Sequence, residues 1–138
     1  MKTKTIAVVV GFFVQLIGLY LIHSMWLAKD YIATASLWVP VETRYARGWA
    51  TLVGVLIYAI AAVWIYTRGI QAKPWVGQGI RFGIFLALLT VVYDSLAAWN
   101  MMLVPTSLIV KWIIGEGLLC IIFSLVIAAI CQPKSPPA

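Results

Sequence analysis

Four runs of about twenty apolar residues constrain this chain more than any motif does, because each can cross the ~30 Å hydrocarbon core of a bilayer as a helix. They lie at about 5–27, 49–67, 79–101 and 107–131. The chain has 138 residues, 64% of them apolar and only 10% charged. A water-soluble fold of this size leaves too much of itself at the boundary to hide that much apolar surface. Lipid is therefore the expected solvent. The expected fold is all-α, a polytopic membrane protein formed as one four-transmembrane-helix bundle over 1–131, with short links and one longer outer loop. The tail QPKSPPA at 132–138 is too short and proline-rich to fold and is expected to be disordered. Lys2 and Lys4 ahead of the first run suggest a signal peptide. The segment lacks a clean small-x-small cleavage site, and Tyr20, His23, Met25 and Trp26 occupy the region where one would be expected, so a retained helix is expected.

The net charge of +6 is dispersed around the spans. It reads as topology signal and headgroup contact, and nucleic acid is not an expected partner. Lys2, Lys4, Arg68, Lys73, Arg81 and Lys134 fall on the side of the termini, against Lys29, Arg44, Arg47 and Lys111 on the other. That bias predicts cytoplasmic termini in a bacterial inner membrane and an outward-facing loop over Lys29–Gly48. Trp26, Trp38, Trp49, Trp99 and Trp112 gather near the outer boundary as an interfacial belt. Cys120 and Cys131 stand eleven residues apart on one helix, roughly 16 Å along its axis, too far for a disulfide.

Two carboxylates, Asp94 and Glu116, lie inside the third and fourth runs. A carboxylate in hydrocarbon costs roughly 2.5 kcal/mol or more, so each needs a partner, a proton or a cavity. At 1.5 Å per residue, Asp94 sits about 20 Å above Arg81 and Glu116 about 24 Å above Gln132, which places both in the outer half of the membrane. His23, Asn100 and Lys111 fall slightly further out, and Tyr93 adjoins Asp94. These six residues form a candidate intramembrane polar layer, which either handles a proton or a cationic ligand or serves as interhelical glue. In the second case Lys111 snorkels to the interface.

Helical phase adds a second pattern. Gly79, Gly83, Ala87, Thr90, Asp94 and Ala98 recur every three or four residues and predict a packing stripe on the third helix. Ala7, Gly11, Gln15 and Gly18 make a similar stripe on the first helix, and Ala50, Gly54, Tyr58 and Ala62 on the second. Glu116 leads Cys120, Ser124 and Ala128 on the fourth.

Other chemistry is thinly supported. One histidine and two distant carboxylates do not make a metal spacing, and no CxxCH or second histidine offers a haem site. No metal or other cofactor is expected. Soluble-enzyme motifs such as GxGxxG after a strand, a Walker loop, HExxH and GxSxG are missing, and no catalytic residue is assigned. KPWVGQGIRFG, with Lys73 and Arg81, offers a helix start that suits a lipid phosphate, but such a segment is more often a basic cytoplasmic turn, and that reading is preferred.

Three segments, IHSMWLAKDY, KPWVGQGIRFG and LIVKWIIGEG, resemble small bacterial inner-membrane proteins of the four-helix, domain-of-unknown-function type. The resemblance covers most of the length and implies the fold but no activity and no site residue. The four-span basic plan is also similar to membrane-associated glutathione-metabolism enzymes. Their polar Arg/Asn/Glu-bearing second helix is missing, since VGVLIYAIAAVWIY carries no charge. The function expected first is a small accessory subunit that packs against a larger membrane protein or against copies of itself, with membrane lipids as its other partners. The alternative is a small transporter or an intramembrane ligand- or proton-binding protein that uses Asp94 and Glu116. A lipid-modifying enzyme ranks last because no nucleophile–base set is visible.

Overall fold

The computed structural model describes residues 2–132, so the expected disorder of the tail concerns residues that, after Gln132, lie outside the described ones. The described residues contain helices and no strand. Four helices are long and apolar enough to span a membrane: Lys2–Trp26, Val41–Arg68, Trp75–Met101 and Thr106–Cys131. These first to fourth spans, in chain order, make an all-α four-helix bundle.

The second span begins at Val41, well before the expected boundary near residue 49, so the segment VETRYARG is helix and not loop. Proline is the reason. Pro40, Pro74 and Pro105 each stand immediately before a span, with helix-compatible φ of −50°, −52° and −58° and extended ψ of 150°, 127° and 136°. A proline there forfeits no helical hydrogen bond, and it disfavours helix in the residue before it. Glu42 in the first turn further suits the positive end of the helix. The remaining connection between the first and second spans holds a short helix, Ala28–Ala33, and a 3₁₀ turn, Ala35–Leu37; the outer end of the bundle is the one that carries this connection, and the inner end is the opposite one.

The fourth span is the centre of the bundle, packed between the third and the first, while the second span packs chiefly on the first. Glycines decide how close these crossings come. A Cβ on Gly83 would lie 2.5 Å from the Cα of Ile121, and one on Gly79 would lie 3.1 Å from the Cα of Leu125. Gly11 abuts Phe123, and Gly18 abuts Leu119. Ala87 faces Gly117 across the same third–fourth seam. Gly54 differs from these glycines, because a Cβ there would meet nothing within 4 Å. Gly54 is therefore not a packing residue within this chain.

The inner half is closed by an apolar core that includes Ala59, Val63, Leu86, Phe123, Ile127 and Ala128. Its inner turn is clasped by Gln78, whose amide donates to the carbonyls of Gln71 and Lys73 and accepts from the Gln71 N–H, at 2.8–3.0 Å. The outer end is capped separately. Leu27, Val104, Leu108 and Ile109 are buried there against Tyr31, Trp38 and Trp112. Cys120 and Cys131 are free thiols, both buried.

Two spans are not uniform α-helix. Leu21–Trp26 and Ala87–Val92 form π-helical turns. A π-turn adds a residue to the turn and so rotates the rest of the helix relative to a 3.6-residue phase. On the third span Ser95 takes the buried position, and Asp94 lies beside it, exposed.

Candidate functional site: a polar cleft in the outer half of the bundle

All four spans contribute to one cleft of about 450 Å³. Gln15, Leu19 and His23 come from the first span, and Gly54, Val55 and Tyr58 from the second. Thr90, Val91, Asp94, Ser95 and Ala98 come from the third, with Trp112, Glu116 and Cys120 from the fourth. The cleft exists because the second and third spans converge at the inner end, where the Tyr66 and Phe82 rings lie 5.3 Å apart. Further out the second span buries no residue ahead of Val55, and its Thr51–Gly54 stretch is exposed. Both π-turns border the cleft. One carries His23, and the other carries Thr90 and Val91 just ahead of Asp94.

Glu116 and His23 make a close polar contact, with Nε2 of His23 3.3 Å from Oε1 of Glu116. Gly115 helps to seat this pair, because a Cβ there would lie 2.8 Å from the Trp26 ring. The other ring nitrogen of His23 is 2.6 Å from the Tyr31 hydroxyl, which accepts a hydrogen bond of 2.8 Å from the Trp112 indole N–H. An indole can only donate, which leaves the tyrosine hydrogen free for Nδ1 of His23. Nδ1 of His23 can then accept from Tyr31, while Nε2 faces Glu116 as a close polar contact. Burial pushes the Tyr31 hydroxyl up to about 12, offset by the bond from Trp112; the negative charges of Glu116 and Asp30 raise it further, and Arg44 lowers it. Tyr31 is thus a neutral hydrogen-bonding group at any physiological pH.

The cleft is rich in acceptors. Asp94 has no ion pair or hydrogen bond among the described residues. The side-chain oxygen of Gln15 is buried without a partner. Tyr58 and Cys120 occupy each other at 3.5 Å, and the Thr90 hydroxyl donates to the Leu86 carbonyl at 2.8 Å. Lys111 does not balance the acids, because its ammonium bonds both oxygens of Asp30, at 2.7 and 2.9 Å. That pair ties the Ala28–Ala33 helix to the fourth span, a tertiary role for a lysine that the interhelical-glue reading expects to snorkel.

The six residues of the expected polar layer thus divide. His23, Asp94 and Glu116 line the cleft, whereas Lys111 is engaged outside it. Tyr93 is 69% exposed and points away, and Asn100 is exposed and also outside the lining. Among the packing residues, Gln15, Gly54 and Thr90 belong to the cleft wall, while Gly11, Gly18, Gly79, Gly83 and Ala87 lie at helix crossings. Sequence reasoning missed Tyr31, Trp112, Cys120 and Ser95 as members of this neighbourhood. No spacing links Tyr31 to His23, since a chain reversal brings them together. Among the described residues no three His, Cys, Asp or Glu side chains stand close enough to hold a metal ion.

His23 also lines two cavities on the outer side, of about 810 and 440 Å³, each shared with Tyr31, Trp38 and Arg44. The imidazole therefore stands between the outer vestibule and the intramembrane cleft. Comparison of the chain with family models, with curated proteins and with solved structures gives no match.

Proposed function

We propose that this protein binds a cationic group in the outer half of the membrane, with Asp94 and Glu116 as its counter-charges. One observation carries the reading: two carboxylates share a cleft that contains no lysine or arginine. Two carboxylates and several free acceptor oxygens face a single imidazole there, so a cation is the complementary ligand. The buried Phe123 and Ile127 close the inner half. This favours an outward-facing binding site over an open pore. In the proposed setting, a bacterial inner membrane with cytoplasmic termini, the vestibule above His23 faces the outside.

The test is binding of tetraphenylphosphonium to the protein in lipid nanodiscs. Wild type is expected to bind saturably, and the Asp94→Asn/Glu116→Gln variant to lose at least tenfold in affinity. Equal affinity of the two proteins refutes the role of the carboxylates.

A second reading, a small accessory subunit of a larger membrane complex, draws on the second span. Its Leu52, Val53, Leu56, Ile57, Ile60 and Trp64 are all exposed, and the first span is its main neighbour. Native mass spectrometry from a mild detergent separates the two readings. A stoichiometric larger partner favours the subunit, and a chain without partners favours the binding protein.

A further inference from the structure

We infer that the ligand of this cleft is an amphiphilic cation from the lipid phase, whose apolar chain leaves sideways between the second and third spans past Gly54. This rests on the cation-binding reading and adds a ligand class and a size-determining residue to it.

The routes into the cleft differ in how they are closed. Towards the inner side the floor is Cys120 and Tyr58 above Phe123, whose ring lies 5.2 Å from that of Tyr58 and is fully buried. Towards the outer side Trp112 forms part of a cap, its ring inclined at 55° to that of Trp38 with centroids 6.1 Å apart, over fully buried Leu27. The outer vestibule shares one lining residue with the cleft, His23, whose imidazole is held between Tyr31 and Glu116. First and fourth spans are packed together, with Gly18 against Leu119.

The remaining side faces lipid. There Gly54 is exposed, with open space where a side chain would be, opposite Asp94 and Ala98 of the third span. Elsewhere in the bundle, Gly11, Gly18, Gly79 and Gly83 are glycines because a neighbour leaves no room. No neighbour requires a glycine at position 54. Its missing side chain instead leaves a slot beside the acids. A head bearing positive charge can reach Asp94 and Glu116 through that slot while its chain stays in hydrocarbon, so the polar head alone is transferred. A small water-soluble cation lacks that route and the local concentration that partitioning supplies.

The experiment compares decyltrimethylammonium with tetramethylammonium on the protein in lipid nanodiscs, with empty nanodiscs subtracted. Wild type, Gly54→Phe, Gly54→Leu and Asp94→Asn are measured, and each variant's thermal unfolding establishes that it is folded. The expected result is at least tenfold tighter binding of the decyl compound by wild type. Both Gly54 variants should abolish that advantage, read as the ratio of decyltrimethylammonium to tetramethylammonium affinity within each protein. If binding of the decyl compound falls with Asp94→Asn but not with either Gly54 variant, the lateral slot is overturned and the cation site stands. If wild type binds neither compound, both the slot and the cation site are overturned.

Discussion

Gly83→Ala is the sharpest test of how this bundle is held together. The new methyl would lie 2.5 Å from the Ile121 Cα, 3.0 Å from the Cys120 carbonyl oxygen and 3.1 Å from the Ile121 nitrogen. All three are backbone atoms, so no rotamer change relieves the contact. Ordinary van der Waals contact begins at 3.4 Å, and the third and fourth spans must therefore part by roughly 1 Å. A gap of that size forfeits about a quarter to a half of the dispersion energy at each facing atom pair. Overpacking of this kind costs about 1–3 kcal/mol. Replacing a helical glycine by alanine returns up to ~1 kcal/mol of backbone entropy in water. We therefore predict a net loss of about 1–2 kcal/mol for Gly83→Ala, measured by reversible unfolding in mixed micelles. Gly54→Ala is the control, because it meets no neighbour and should be neutral or slightly stabilising. Equal stability of the two variants would falsify the claim that the third–fourth seam depends on backbone approach at Gly83.

Other consequences concern the outer cap and the cleft. Lys111→Met should release the Ala28–Ala33 helix, since the Lys111–Asp30 pair is its ionic tie to the fourth span. The global cost should be small, about 0–1 kcal/mol for a partly exposed pair. Faster amide exchange confined to 28–38 is the expected signature, and unchanged exchange there would refute the tie. Burial raises the Tyr31 hydroxyl from 10.0 to about 12, so the folded state holds this proton more tightly than the unfolded chain does. The stability this supplies is complete below pH about 10 and declines as pH rises towards about 12. Unfolding measured across that window should show the alkaline decline in wild type and a shallower one in Tyr31→Phe. The same slope in both would remove Tyr31 as its source. Loss of cation affinity in Asp94→Asn/Glu116→Gln, and of chain-dependent affinity in Gly54→Phe, are the two functional outcomes expected.

Four membrane-spanning helices in an all-α bundle are legible from residue order alone. Hydrocarbon supplies no hydrogen-bond partners, so apolar runs of this length must satisfy their own backbone. The same spacing that marked Gly11, Gly18, Gly79 and Gly83 is explained by tight crossings, because a small side chain at helical period acts on the helix that carries it. Depth is also a local quantity, and counting residues puts His23, Asp94 and Glu116 in one layer without knowledge of the fold. Phase proved less local. The π-turn at Ala87–Val92 rotates the rest of the third span, which buries Ser95 and leaves Asp94 at the cleft wall. No residue pattern announces such a turn. Helix order around the bundle was equally hidden, and it alone decides that the second and third spans stand apart beside Gly54. The pairs Lys111–Asp30 and His23–Tyr31 arise where the outer connection folds back on the bundle. Tertiary packing selects such pairs, because a charge or hydroxyl bonds whichever partner the arrangement of distant segments brings within about 3 Å.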